Sequence, residues 1–273
     1  MRTSSKALAA ATLAALSFLG ATPAMADEAA PPSDITVTGG ATIASQYRFR
    51  GVAQSDNKPV VQGTITIAHS SGFYVSTWAS SASAGQSPIN IGGTEIDVYG
   101  GYTHAIGSTG FTIDGGLYGY IYPGATTGNL WEIYGSLAKT IGPVTVKGGA
   151  NFAPAQKVFN YNFTSTHRSN LYVYGELGGA IPNTPLSFHS HLGHTGGGFD
   201  LPKPFFDYTV GVTAKYKNLA LDASVVGTNM GRSDFAASSL CTTPTAPATV
   251  ASCANSYYRT TKPVGVISLT ASF

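Results

Sequence analysis

The chain has 273 residues, of which only 10% are charged and 11% are aromatic, with 33 glycines. A soluble domain carries roughly 25% charged residues, so a wholly water-facing surface is excluded, yet past residue 26 no apolar run reaches the ~18 residues of a spanning helix. With Lys+Arg 15 against Asp+Glu 13 the net charge is +2, and nucleic-acid binding has no basic footprint.

The first segment reads as an export address. Arg2 and Lys6 give a positive start, residues 7–20 an apolar run, and Ala24-Met25-Ala26 a small-residue cleavage pattern. Together they predict a secretory signal peptide over 1–26, followed by a short periplasmic segment over 27–34. Cleavage removes Arg2 and Lys6 and leaves acids and bases balanced.

From Ile35 onward the period is two. Ile35, Val37, Ala41 and Ile43 alternate with Thr36, Thr38 and Thr42, and a strand sends such sets to opposite faces. The same alternation recurs in Ile113 to Tyr122, Leu171 to Ile181 and Tyr208 to Tyr216. In chain order it predicts about twelve strands, over 35–50, 60–69, 73–81, 94–106, 111–122, 130–141, 144–153, 169–181, 186–195, 206–216, 219–229 and 259–273. Short turns (Ser70-Ser71-Gly72, Gly142-Pro143, Lys217-Asn218) alternate with long connections, the last of them 230–258. At ~3.3 Å per residue and a tilt near 40°, ten residues cover the roughly 25 Å apolar band of an outer membrane. The predicted fold is therefore an all-β, up-and-down antiparallel transmembrane barrel over 35–273, with both termini at the short-turn, periplasmic end.

Aromatics fit two interfacial girdles. Tyr47, Phe49, Trp131 and Phe152 are expected on the lipid face at the long-loop end, and Phe73, Tyr102, Phe111, Tyr216 and Phe273 near the short turns. The carboxy-terminal Phe273, after Gly265, Ile267, Leu269 and Ala271, looks like the signal read by the barrel-assembly machinery. Cys241 and Cys253 share one Thr/Pro/Ala-rich loop of an exported chain, which predicts a loop-closing disulfide; with no further ligands nearby, a metal site is not expected there.

Tyr47-Arg48-Phe49-Arg50-Gly51-Val52-Ala53-Gln54-Ser55-Asp56, then Pro59 to Gly63, Ser71 to Tyr74 and Trp78, resemble the TorF family of porins. Glu95 to Tyr102, Tyr122-Pro123-Gly124 and Glu132-Ile133-Tyr134 continue the likeness in order. It covers essentially the whole exported chain and is sharpest over 44–134. The resemblance implies an outer-membrane barrel and supplies no settled substrate and no catalytic residues; no cofactor is expected. The long Cys241–Cys253 loop departs from the family's usual shorter last loop.

Function is expected on the inward parity. Arg48, Arg50, Glu95, Asp97, Glu132, Lys147 and Glu176 carry the charge there, as do Asp114, Asp207, Lys215 and Asp222. Opposed charges across a watery pore filter ions and solutes; equally, they can be neutralised pairs buttressing a plugged interior, as Lys147 with Glu176. Arg48 and Arg50 at the outer rim of strand one, with Glu95 and Asp97 at the outer rim of strand four, are expected to form a split entry filter. Tyr118, Tyr120, Tyr134, Tyr172 and Tyr174, with Tyr99 and Tyr122, either pass a sugar or aromatic solute by stacking or fill a narrow barrel. His189 and His191, two apart on one strand, have a spacing that can hold a metal, but polar lining is the expected role.

The expected function is passive diffusion of small polar solutes or ions through the outer membrane, the partners being lipid, the assembly machinery and those solutes. A non-conducting structural or adhesive barrel is the alternative. A lipid hydrolase would need Ser45 or Ser190 to meet His104 and an acid on the lipid face, and the strand map separates them; an enzyme is not expected.

Overall fold

The computed structural model describes residues 34–83, 91–160, 168–200, 202–242 and 249–273. The expected signal peptide and nearly all of the periplasmic segment lie outside these residues. Why strands form is plain from composition: β-branched and aromatic residues alternate with small or polar ones, which suits a sheet wetted differently on its two faces.

Along the chain come β1 (Ile35–Ala44), β2 (Arg48–Phe49), β3 (Val52–Ala53), β4 (Val60–His69), β5 (Phe73–Ser81), β6 (Thr94–Ala105), β7 (Phe111–Ile121) and β8 (Leu130–Ile141). They continue with β9 (Val144–Ala153), β10 (Asn170–Ala180), β11 (Leu186–Gly197), β12 (Phe205–Tyr216), β13 (Leu219–Thr228), three helices α1 (Arg232–Ala237), α2 (Ser239–Thr242) and α3 (Val250–Thr261), and β14 (Val264–Ser272). Every long strand pairs antiparallel with its sequence neighbours, and β1 pairs with both β4 and β14, closing a barrel in the order β1-β14-β13-β12-β11-β10-β9-β8-β7-β6-β5-β4. Closure leaves no unpaired edge, which a sheet in hydrocarbon requires. Phe273 exchanges two backbone hydrogen bonds of 3.0 Å with Gly39, so both ends of the barrel sequence meet at the short-turn end.

The outward face is apolar. Val37, Ile43, Val61, Leu117, Ile133, Val210, Leu221 and Ile267 are all exposed there. Trp131 and Phe152 expose their rings at the long-loop end, and Phe73, Tyr216 and Phe273 theirs at the short-turn end. The buried residues lie inside, and many are polar: Glu95, Asp97, Glu132, Asn170, Thr195 and Asp207 among them. A water-soluble barrel has the reverse arrangement; this one matches a membrane barrel with a hydrophilic interior.

Two elements differ from the sequence expectation. The first strand ends at Ala44, not near 50, because Arg50 (φ 48°) and Gly51 (φ 78°) are both left-handed. Consecutive positive φ values build a primed two-residue turn, so Phe49 pairs with Val52 and Arg48 with Ala53 in a small hairpin. Tyr47 and Phe49 consequently leave the lipid face: Tyr47 is buried against Trp78, ring centroids 5.1 Å apart, and Phe49 packs on Tyr120 at 5.3 Å. The last strand begins at Val264, not 259, because α3 occupies the preceding residues, its first turn capped by Thr249 Oγ1 accepting from the Ser252 amide at 3.1 Å.

Candidate functional site: the lumen and its plug

The β2–β3 hairpin spans the interior at the long-loop end. Near its root, Tyr47 donates to Glu95 Oε1 on β6 at 2.9 Å. At its tip, a Cβ on Gly51 would lie 2.6 Å from the Gly227 carbonyl and 3.0 Å from Asp207 Cβ, so the turn is pressed against β12 and β13 and only glycine fits. Arg50 and Arg48 thus sit on the hairpin inside the barrel and not on the rim of strand one.

From the tip, Arg50 reaches the opposite wall. Its Nη2 lies 2.8 and 2.7 Å from the two oxygens of Glu132 on β8, and its guanidinium stacks 4.1 Å from the Tyr172 ring on β10 and 4.7 Å from its neighbour Phe49. Tyr120 and Asn151 also donate to Glu132, at 3.2 and 3.1 Å. Burial disfavours the Arg50 charge, but the adjacent Glu132 carboxylate outweighs it and leaves the guanidinium above its usual range. Such a pair is strongly held only while both partners remain. Arg48 instead donates to the Gly51 and Thr260 carbonyls (3.0 and 2.7 Å) and to Asn57 Oδ1 (2.6 Å). Burial pulls its guanidinium down to about 10.

A helical lid lies over the hairpin. Phe235, Leu240, Cys241, Cys253 and Ala254 form its buried core, joined by Phe205 and Met230 from the barrel end and contacted by Val52 of the hairpin. The Cys241–Cys253 disulfide, expected from sequence, is present with Cα atoms 5.6 Å apart. Thr228 Oγ1 donates to the Thr261 carbonyl at 3.0 Å, Lys203 Nζ meets Asp234 at 2.7 Å, and Arg259 bonds Asp56. The Arg259 hydrogen bond holds the Asp56 carboxyl below its usual range, and the Lys203 bond does the same for Asp234.

The remaining inward residues form local networks along the wall. Asp97 accepts from Tyr118. Asp114 and Tyr134 both bond Tyr74. Lys147 Nζ lies 3.4 Å from Glu176 and 5.4 Å from the Tyr174 ring centroid. His191 sits 2.6 Å from Tyr172 Oη, 3.3 Å from Glu176 and 3.4 Å from Asp207, while His189 pairs separately with Asp222 at 2.7 Å. The two histidines share no ligand, and among the described residues no group of three or more His, Cys, Asp or Glu could hold a metal. Glycines make room for these rings: a Cβ on Gly193 would lie 2.1 Å from Tyr172 Oη.

Glu95 and Asp97 face Tyr47 and Tyr118, not Arg48 and Arg50, so the two pairs do not oppose each other across a rim. The hairpin itself, with Tyr47 and Phe49, escaped sequence reading because the alternation of side chains runs on unbroken through it. The signal available was Gly51 directly after a charged residue. The hydrolase candidates stay apart: Ser45 Oγ accepts from Ile267, Tyr102 bonds His104, and Ser190 donates to Leu177.

A family described as "Bacterial protein of unknown function (Gcw_chp)" matches residues 28–257. No curated protein matches. Among solved structures, the KdgM porin is similar with TM-score 0.54 at 11% identity, covering 86% of this chain and 99% of that one. The NanC porin follows with 0.52 at 8%, covering 87% and 99%. The KdgM porin in complex with disordered oligogalacturonate gives 0.51 at 10%, with 87% and 99% covered. Likeness at such identity is a likeness of fold.

Proposed function

We propose that this chain, which belongs to the Gcw_chp family, is an outer-membrane channel for passive diffusion of small polar solutes or ions. The observation that carries this reading is the inversion of the barrel: an apolar belt outside and a lining of tyrosine, serine, threonine and paired charges within. A lumen of that chemistry accepts water and polar groups. The fold shared with the KdgM and NanC porins supports it, as does the likeness of residues 44–134 to the TorF porins, to which we assign the chain. Export by the segment 1–26 and insertion by the barrel-assembly machinery, with Phe273 as its signal, belong to the same reading. The inward charges and tyrosines from Arg48 to His191 line the path, and the hairpin with its lid holds the outer end closed.

That closed end also favours a second reading, a non-conducting structural barrel whose plug never leaves. Planar-bilayer recording of the purified barrel separates the two. Stepwise conductance supports the channel. Silence from both the wild type and a plug-loosened Arg50→Ala barrel, each shown to be folded, rejects it.

A further inference from the structure

Glu95 and Asp97 stand two apart on the inward face of β6, 0% and 2% exposed. Tyr47 and Tyr118 each satisfy one oxygen of the pair. The other two, Glu95 Oε2 and Asp97 Oδ1, are buried with no donor in hydrogen-bond geometry, and the two carboxyls and Tyr122 lie within reach of one another. No Lys, Arg or His among the described residues lies within salt-bridge distance of either carboxyl. A buried carboxylate oxygen without a donor is expensive, and this pair carries two. Glu132 extends this band on β8: Tyr118 is its cross-strand partner, and Tyr120, which donates to it, is the cross-strand partner of Asp97. The walls between the three acids are rings, with Tyr118 and Tyr120 at 4.4 Å and Tyr99 stacked on Tyr118 at 4.9 Å.

Resting on the channel reading, we infer that this band is a subsite for the cationic group of a permeating solute, a primary ammonium or guanidinium. Two free acceptor oxygens match N–H donors, and the ring faces attract an organic cation. A hard metal ion would need six or more oxygen ligands, which rings do not supply. Arg50 already shows the mode of binding: a guanidinium on the Glu132 carboxylate, flanked by the faces of Tyr172 and Phe49. The hairpin is a tethered occupant of one end of the subsite, and Tyr47 covers the other. Solute and hairpin therefore compete, and withdrawal of the hairpin raises apparent affinity in proportion to the competent fraction.

The test titrates agmatine, which carries both cationic groups, into the full-length barrel in detergent by calorimetry. Folding of each variant is checked by heat-modifiable gel migration. The expected result is binding at least about tenfold tighter to Arg50→Ala than to wild type, by relief of competition. Adding Glu95→Gln and Asp97→Asn to Arg50→Ala is expected to weaken it again by about tenfold or more. Should that combination not fold, Glu95→Gln on Arg50→Ala carries the test, with a loss of about threefold or more expected for one neutralised acceptor. Absence of binding to Arg50→Ala, affinity insensitive to the acid substitutions (the result if the two carboxyls simply share a proton), or displacement of agmatine by equimolar CaCl2 each overturns the inference. Conductance of the same barrels in KCl without agmatine reports on the channel separately. A conducting barrel that ignores agmatine sinks the subsite alone.

Discussion

Arg50→Ala is the most informative single change. The substitution removes the cation from a pair whose side chains are 6% and 0% exposed. Breaking a buried pair by deleting one partner costs about 3–5 kcal/mol, and the lost stacking on Tyr172 adds about 1 kcal/mol. Withdrawal of the wild-type hairpin would rehydrate both charges, so the net preference for the seated state attributable to Arg50 is smaller, about 3 kcal/mol. At about 1.4 kcal/mol per factor of ten, the seated-to-withdrawn ratio falls by about two orders of magnitude. Single-channel recording reads this directly, as a wild type with rare openings and an Arg50→Ala barrel open for a large fraction of the time. Glu132→Gln is expected to act in the same direction, and the double variant to add little, because both remove one interaction. Wild-type dwell times in both single variants would instead make Arg50 an inert filler.

Other consequences concern the lid and the wall. Replacing Cys241 and Cys253 by serine removes a 12-residue cross-link, worth about 3 kcal/mol in loop entropy; limited proteolysis is expected to cut the lid faster while the barrel melts as before. The lid attachments Asp56–Arg259 and Asp234–Lys203 have carboxyl pKa values held down in the folded state. Their stabilisation is present above the unfolded carboxylate pKa near about 3.9 and disappears as pH falls through the lower folded value. Protease sensitivity of the lid should therefore be flat from about pH 7 to 5 and rise only below about 4. On the outer face, Leu117→Arg puts a charge into the middle of a lipid-facing strand and is expected to destabilise the folded barrel by about 2–4 kcal/mol in a lipid refolding titration. Inside, Gly193→Ala sets a methyl against the Tyr172 hydroxyl; an overpacking cost of about 1–3 kcal/mol should appear as a lower midpoint in the same titration.

The barrel was legible because one simple period carries it. Hydrocarbon outside and water inside impose alternation on every strand, and Leu171, Val173 and Leu177 against Tyr172, Tyr174 and Glu176 display it without help from tertiary structure. What stayed hidden uses the same alphabet for a different purpose. Residues 45–53 keep the alternation of a strand, but Arg50 and Gly51 turn the chain back, and the driving contacts are with Glu132 and Tyr172, distant in sequence. The helical lid was hidden for a similar reason: α3 contains Ser252, Asn255, Thr260 and Thr261, poor helix formers on propensity alone, and is stabilised by its Thr249 cap and the disulfide. Of the candidate site residues, those on strands are placed by register, whereas Arg48 and Arg50 depend on one local turn.

If polar solutes cross the membrane through this barrel, proteoliposomes containing it take them up. Liposomes carrying the Arg50→Ala barrel, diluted into isosmotic glycine or arabinose, are predicted to swell at a rate that rises with protein content and falls with solute size. Swelling indistinguishable from that of protein-free liposomes, with the barrel shown to be folded and inserted, would contradict the claim.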